Sequence, residues 1–191
     1  KGGEIHSSLI STIEQLKRYK NRSVSIEALT QEVPPQVEIG KKSMLLVPLF
    51  LLPGTHVCND VPKILKRFQD DGKNIKLFPF LGSFHPWLSL IGDWINNHSS
   101  LDKPALIHHP VSSETSSVFL KSLENVLEIP LYSWIRWNQD ILYGEKNYFP
   151  IPYFLTPNKN VEIDSKGKQL KSLLEIEMIH RGLINILGNL P

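Results

Sequence analysis

The chain has 191 residues, 41% of them hydrophobic, which is enough to bury a core in one domain or in two half-sized domains. Its formal charge of +2 comes from 21 basic and 19 acidic residues spread along the chain, without the basic stripe that a nucleic-acid partner requires. Cys58 is the single cysteine, so neither an internal disulfide nor a cysteine-rich zinc site can form. The sequence shows no secretory leader and no apolar run of about 18 residues, so we expect a cytoplasmic protein without a membrane partner.

Apolar runs of strand length alternate with helical patterns. The strand-like runs cover residues 24–29, 44–50, 75–80, 105–108, 129–134, 148–155 and 173–179. Apolar residues at the three- and four-residue spacing of a helix cover 5–19, 61–69, 86–96, 113–126 and 180–187. Several strand-like runs are apolar on both faces, as in parallel strands covered by helices on each side. This alternation predicts an α/β fold with mainly parallel sheets flanked by helices.

One segment of the chain occurs twice, at residues 44–62 and 148–166. The identical pairs are Pro48/Pro152, Phe50/Phe154, Leu51/Leu155, Pro53/Pro157, Val57/Val161 and Asp60/Asp164. The repeat predicts two related half-domains, 1–101 and 102–191, joined at the polar segment 99–104. Aligning the helices that follow Ser7 and Ser116 puts the partner of strand 105–108 before Lys1. The first half either has its first strand upstream of Lys1, which we expect, or lacks that strand.

The two copies differ at His56, which is matched by Asn160 in the second copy. His56 follows a buried apolar strand and a Pro-Gly turn, and it precedes Asp60, which has the form of a helix N-cap with Pro62 in the first turn. Pro48 removes a backbone donor, so strand pairing should be interrupted near it. Because ligands bind at the carboxyl edge of open α/β sheets, His56 is a candidate ligand residue, with a neighbouring acid or the backbone orienting its second nitrogen. The alternative is a histidine that only hydrogen-bonds loop backbone.

Residues 48–62 read PLFLLPGTHVCNDVP, which resembles the PLFLLPGxHVxxDIP signature of the class II tetrapyrrole chelatases, the sirohydrochlorin cobaltochelatases and ferrochelatases. Residues 77–86, LFPFLGSFHP, are similar to the next strand and Pro-Leu-Gly-x-His-Pro loop of this family. The resemblance is clear over residues 24–96 and weaker over 104–190, which suits the two-half form of the family.

This resemblance implies insertion of a divalent metal, Co²⁺, Fe²⁺ or Ni²⁺, into sirohydrochlorin in sirohaem or cobalamin biosynthesis. It implies no ATP or other nucleotide, and a cleft between the two halves. His56 would then be the metal ligand and proton acceptor. Imidazole suits both roles, since it titrates near neutral pH and accepts several borderline metals.

The resemblance leaves other positions less defined. The histidine of the family's His-Gly-Ser motif would lie upstream of Lys1, and its second-half counterpart is His109, followed by Pro110 instead of glycine. His108 and His109 point to opposite faces of a strand, so at most one is functional. Relatives place an acid in the second-strand loop, where Glu27, Gln31 and Glu32 are all near. The substrate-binding candidates are His85, Lys63, Arg67, Glu32 and His109.

Simpler interpretations stay open for these candidates. Lys63 and Arg67 follow His56 on one helix, where they could meet substrate carboxylates or form a solvated face. His85 lies in a loop before a helix, where a structural role is common. As a whole, the chain could also be a non-catalytic relative that binds a tetrapyrrole or a metal, or a purely structural α/β subunit.

Overall fold

The structure is a computed structural model that describes residues 5–20, 23–29, 43–97, 103–141, 148–158 and 170–191. Its helices are α1 (Ser7–Lys20), α2 (Val61–Asp70), α3 (His85–Asn97), α4 (Glu114–Leu127), the single turn α5 (Trp134–Arg136) and α6 (Glu177–Gly188). Its strands are β1 (Met44–Leu46), β2 (Ile75–Leu77), β3 (Pro104–His108), β4 (Leu131–Ser133) and β5 (Phe149–Pro152). Short 3₁₀ turns lie at Leu81–Ser83 and Leu173–Glu175, and π-helical turns at His56–Asp60 and Trp137–Ile141. All five predicted helices are present.

The strands form two parallel sheets, which confirms the predicted α/β class. β1 pairs with β2, with Leu45 opposite Lys76. β3 is the centre of a three-stranded sheet in the order β4-β3-β5, where Leu106 lies opposite Leu131 on one side and Ile151 on the other. Because the strands are parallel, the segments that leave them meet at the carboxyl edge of each sheet.

Both faces of β3 are covered, as its apolar run predicts. Leu106 belongs to a core cluster that includes Trp87 and Leu123, whereas Ile107 points into a second cluster with Trp137 and Phe154. Leu106 and Ile107 have no exposed surface. The apolar side chains on both faces of β3 are therefore shielded from solvent.

The main core is shared by the two predicted halves. Leu51, Leu81 and Trp87 of the first half pack with Ile151 and Leu183 of the second. Each half therefore buries apolar surface that it could not bury alone. The division into 1–101 and 102–191 stays a prediction. Most of its expected linker lies outside the described residues, and Pro104 begins β3.

The chain repeat reappears as a repeated backbone contact. After β1, the carbonyl of Phe50 accepts a hydrogen bond from Gly82 N in the 3₁₀ turn that leads into α3, at 2.9 Å. After β5, the carbonyl of the matching Phe154 accepts from Leu173 N in the turn that leads into α6, also at 2.9 Å. Each half thus joins its strand exit to the 3₁₀ turn before a helix.

Pro48 ends regular pairing, as predicted. β1 stops at Leu46, whose carbonyl accepts from Phe78 N at 2.9 Å, and the next contact is Leu81 N to the carbonyl of Pro48 at 2.9 Å. The proline carbonyl can still accept, whereas its nitrogen has no hydrogen to donate.

The predicted strand 173–179 is wrong, because this segment forms a 3₁₀ turn and the start of α6. The Glu175 carboxylate accepts hydrogen bonds from the backbone N of Ser172 at 2.7 Å and from its hydroxyl at 2.8 Å. Beyond this turn, the buried Ile179 and Leu183 follow helical spacing. The Ser-x-x-Glu pattern was the available signal for a helical start.

The predicted strand 24–29 is also wrong, since residues 23–29 form an irregular segment. Val24 and Ile26 are partly buried against a cluster of Ile13, Leu16 and Ile184 from α1 and α6. Their alternating apolar pattern therefore reflects packing onto helices instead of strand pairing. Within the described ranges, no helix combines the length and apolarity needed to cross a lipid bilayer.

Candidate functional site

His56 is carried by a π-helical turn that begins where the segment after β1 ends. Val61 N donates to the carbonyl of His56, which closes this wide turn, and Cys58 N donates to the carbonyl of Gly54 at 3.1 Å. π-helical turns are rare and often occur at functional positions. The turn runs directly into α2, so the position of the imidazole is tied to a regular helix at the carboxyl edge of the first sheet.

The imidazole of His56 is held on one side and open on the other. Its Nδ1 lies 2.7 Å from Oδ2 of Asp60, and 58% of its side chain is exposed. The ring stacks on Phe50 with centroids 5.8 Å apart and planes at 22°. With Nδ1 donating to the carboxylate, Nε2 carries the lone pair and is the atom that can bind a metal or accept a proton.

Asp60 supplies the orienting acid. The hydrogen bond from His56 is the main cause that lowers the pKa of Asp60, Lys63 lowers it further, and partial burial acts in the opposite direction. The carboxylate is therefore ionised at neutral pH and can accept from Nδ1. The sequence prediction of Asp60 as an N-cap is wrong in its contact, since the side chain makes no capping bond to α2. The preceding turn is already helical, so the carboxylate is free to face His56.

The two basic candidates on α2 have different partners. Lys63 is 77% exposed, and its Nζ lies 3.7 Å from Oδ1 of Asp60. Arg67 instead forms a two-pronged ion pair with Glu27, with Nη1–Oε1 at 3.0 Å and Nη2–Oε2 at 2.6 Å. This contact raises the pKa of Arg67. The guanidinium fork of Arg67 is thus already matched to a carboxylate, whereas Lys63 faces solvent beside the His56–Asp60 pair.

Glu27 is one of the acidic residues near the loop where the family resemblance implies an acid. It anchors the segment 23–29 to α2 through Arg67. Gln31 and the preferred candidate Glu32 lie outside the described residues. Glu32 therefore stays a prediction.

His85 is the first residue of α3 and is exposed. Its Nδ1 lies 3.4 Å from the Ser89 hydroxyl. The turn before it packs tightly against the segment that leads to His56. A Cβ on Gly82 would lie 1.9 Å from the carbonyl oxygen of Leu51. Glycine at this position lets the two loops of the first sheet's carboxyl edge approach closely, which brings the His85 loop beside the His56 segment.

The second half presents its histidines differently. His108 ends β3, is 5% exposed, and donates from Nδ1 to the carbonyl of His109 at 2.6 Å. His109 is exposed, but its ring edge packs on Phe154 at 4.7 Å, and its Nε2 lies 3.4 Å from the amide nitrogen of Asn158. Burial lowers the pKa of both histidines. Asn160, the counterpart of His56, lies outside the described residues.

Among the described side chains, no group of three or more His, Cys, Asp and Glu is placed to hold a metal ion. Because Asp60 accepts from Nδ1 of His56, the remaining ring nitrogen Nε2 is the ligand atom that this pair offers. A metal ion held there would take its remaining ligands from water, from the substrate or from residues beyond the described ranges.

One contact to this site was missed by sequence reasoning. The buried hydroxyl of Ser116, in the first turn of α4, donates to the carbonyl of Pro53 at 2.9 Å, just ahead of the His56 turn. The Ser-x-x-Ser pattern of residues 113–116 indicates a helix start, but nothing in the sequence pairs it with Pro53.

Comparison with known proteins identifies a family match and two similar folds. Residues 12–92 match the family model described as CbiX. The fold is similar to the sirohydrochlorin chelatase SirB from Bacillus subtilis subspecies spizizenii in complex with cobalt, with a TM-score of 0.60, 16% identity, and coverage of 96% of this chain and 89% of that chain. It is also similar to SirB from Bacillus subtilis with Fe³⁺, with a TM-score of 0.63, 16% identity, and coverage of 97% and 90%. No curated protein sequence matches the chain.

Proposed function

We propose that the chain, whose residues 12–92 match the CbiX family model, is a class II chelatase that inserts a divalent metal ion into sirohydrochlorin. The observation that supports this most is the His56–Asp60 pair, with Nδ1 held at 2.7 Å and the ring otherwise exposed at the carboxyl edge of a parallel sheet. The two SirB structures with bound cobalt and Fe³⁺ share the fold of this chain, which adds support.

The reaction makes two demands that this pair meets. Two pyrrole N–H bonds break as the metal forms bonds to the ring nitrogens, so two protons must pass to a base and then to solvent, with no change of oxidation state. His56 Nε2 can accept a proton, and the ionised Asp60 stabilises the imidazolium that results. The same lone pair can hold the incoming metal ion before transfer, one role at a time.

The metal ion is a substrate that must be released. A single imidazole with a nearby carboxylate binds Co²⁺, Fe²⁺ or Ni²⁺ less tightly than a site with three or four protein ligands. Loose binding favours delivery to the macrocycle, whose four nitrogens then replace the protein ligand. No nucleotide is needed, because the metal–nitrogen bonds formed supply the driving force.

The carboxylates of sirohydrochlorin give the basic candidates a role. Lys63 is the better placed of the two, since its ammonium group is exposed beside the His56–Asp60 pair while Arg67 is paired with Glu27. His85, at the start of α3, adds a polar group on the same sheet edge. Glu32 and His109 complete the proposed set, with Glu32 as the acid that the sequence resemblance implies and His109 as a second-half contact to the macrocycle.

Absorption spectroscopy tests this proposal. Mixing the protein with sirohydrochlorin and Co²⁺ or Fe²⁺ should shift the tetrapyrrole spectrum faster than buffer with the same metal. His56→Ala should lose this acceleration, whereas His6→Ala should keep it, because the exposed ring of His6 hydrogen-bonds to Ser8 in the first turn of α1. Wild-type protein that is no faster than buffer would reject the proposal.

A second candidate is a relative that binds the tetrapyrrole or a metal without inserting it. It is motivated by the sequence of the second half, where Asn160 stands at the position of His56 and Pro110 follows His109 in place of glycine. Saturable binding of sirohydrochlorin by the protein without accelerated insertion would support this candidate over the first.

A further inference from the structure

We infer that Ser116 is a positioning residue for His56, through which the second half sets the orientation of the first half's turn. This inference rests on the proposed function. Ser116 is 1% exposed, and its hydroxyl donates to the carbonyl of Pro53 at 2.9 Å. The bond joins residues far apart in the sequence, from α4 of one predicted half to the strand exit of the other.

The Pro53 carbonyl lies in the peptide plane from which the chain enters the His56 turn, and Gly54 N in the same plane donates to the carbonyl of Leu52 at 2.9 Å. Gly54 follows it, and a Cβ there would meet nothing within 4 Å, so packing does not restrain this residue. Within the turn, Pro53 O has a weaker contact from the Cys58 thiol at 3.8 Å. Of these two donors to the Pro53 carbonyl, the Ser116 hydroxyl is the stronger, and it restrains from the second half the peptide plane from which the His56 turn departs.

Ser116 is itself held in place by the start of α4. Its backbone N donates to the Ser113 hydroxyl oxygen at 3.1 Å, and the two hydroxyl oxygens lie 2.7 Å apart. A Ser113 hydroxyl that donates to Ser116 leaves the Ser116 proton for Pro53. The two hydrogen bonds thus run in one direction, from the N-cap residue Ser113 through Ser116 to Pro53, just before the turn that carries the imidazole.

The direct consequence is a local change when the hydroxyl is removed. In Ser116→Ala, the backbone amides of Cys58 and Val61, which are hydrogen-bonded within the turn, should exchange with solvent about tenfold faster because the turn opens more often. The kcat of metal insertion should fall while the KM for sirohydrochlorin stays near the wild-type value, since the substrate contacts remain. The thermal midpoint should fall by only a few degrees, because one buried hydrogen bond is lost.

Ser117→Ala is the matched control, because Ser117 lies next to Ser116 on α4, is exposed, and bonds only to the carbonyl of Ser113. It should leave both amides and kcat unchanged. Unchanged exchange at Cys58 and Val61 in Ser116→Ala would overturn the inference, and so would faster exchange spread evenly over both halves, which would indicate a general structural role. Exchange is read without substrate, so this result stands apart from a failure of wild-type protein to insert metal.

Discussion

The two halves share a backbone contact but differ in the histidine that lies near it. In the first half, Gly82 N bonds to the carbonyl of Phe50, and the chain goes on to an exposed imidazole held by Asp60. In the second half, Leu173 N bonds to the carbonyl of Phe154 in the same way. There the nearest histidine, His109, packs on that phenylalanine and has Asn158 at its Nε2.

This difference distinguishes the backbone contacts that stabilise the fold from the side chains that we expect to carry out the reaction. The contact after each strand is a packing requirement, since both copies bury it beside the shared core. A ligand atom that faces solvent needs an additional feature, the turn at His56–Asp60, which holds one nitrogen and leaves the other open. We therefore expect the first half to carry the reaction and the second to brace it.

The largest effect should come from the two histidines. His56→Ala should lower the rate of metal insertion by about 100-fold or more, the range for loss of a general base, while His109→Ala should keep most of the activity. Initial rates from the absorption change at saturating sirohydrochlorin measure both. Equal losses in the two variants would remove the distinction between the halves.

A substitution of Gly82 tests the close contact between the segment after β1 and the 3₁₀ turn before α3. Gly82→Ala places a methyl group into the backbone carbonyl of Leu51, at 1.9 Å, so the loop must move, and we expect a loss of about 3 kcal/mol in the free energy of unfolding. Gly92→Ala in α3 is the control, because its Cβ would meet only Leu127 at an ordinary 3.8 Å, and alanine favours a helix. Urea unfolding of both variants gives the comparison, and similar midpoints would contradict the close approach.

Asp60 tests what orients the imidazole. Asp60→Asn should lower activity by about tenfold, as for other residues that orient a metal-binding histidine, and Asp70→Asn, on the exposed end of α2, should not. The pKa of Asp60 is lowered in the folded protein, so its stabilising contact with His56 exists at neutral pH and is lost as pH falls through that lowered value. The Asp60→Asn variant should accordingly lose less stability than wild type in an acid titration followed by circular dichroism.

The two bases on α2 give the smallest effects. Arg67→Ala should cost about 1 kcal/mol of stability by freeing Glu27, with little change in the KM for sirohydrochlorin. Lys63→Ala should raise KM a few-fold with unchanged stability, because its ammonium is exposed. Thermal unfolding together with steady-state kinetics separates the two, and a higher KM in Arg67→Ala alone would reverse the assignment.

Much of this arrangement could be predicted from the sequence because it depends on local patterns. Helical spacing located five helices, and the repeat located the matching strand exits. The buried strand and the Pro-Gly turn before His56 predicted its place at the carboxyl edge, and the resemblance of residues 48–62 to a known signature implied its role. The errors occurred where a local pattern permits two structures. The alternating apolar residues of 24–29 are typical of a strand, but here they pack against helices. The apolar residues of 173–179 fit either a strand or the start of a helix, and here they form the latter.

The side-chain contacts of the site could not be predicted from the sequence, because they depend on the fold. From the sequence, Asp60 could either cap α2 or contact His56 one turn earlier. The π-helical turn places the carboxylate on His56. Glu27 and Arg67 are 40 positions apart in the chain, and Pro53 and Ser116 are 63 apart. No pattern in the sequence pairs residues at such separations.

The most direct test is the proton NMR spectrum of the protein with Co²⁺ bound, since a paramagnetic ion displaces the signals of any imidazole that ligates it. We expect displaced imidazole signals that persist in His109→Ala and vanish in His56→Ala. Displaced signals that survive His56→Ala but vanish in His109→Ala would show that the metal binds in the second half and would contradict the assignment of His56.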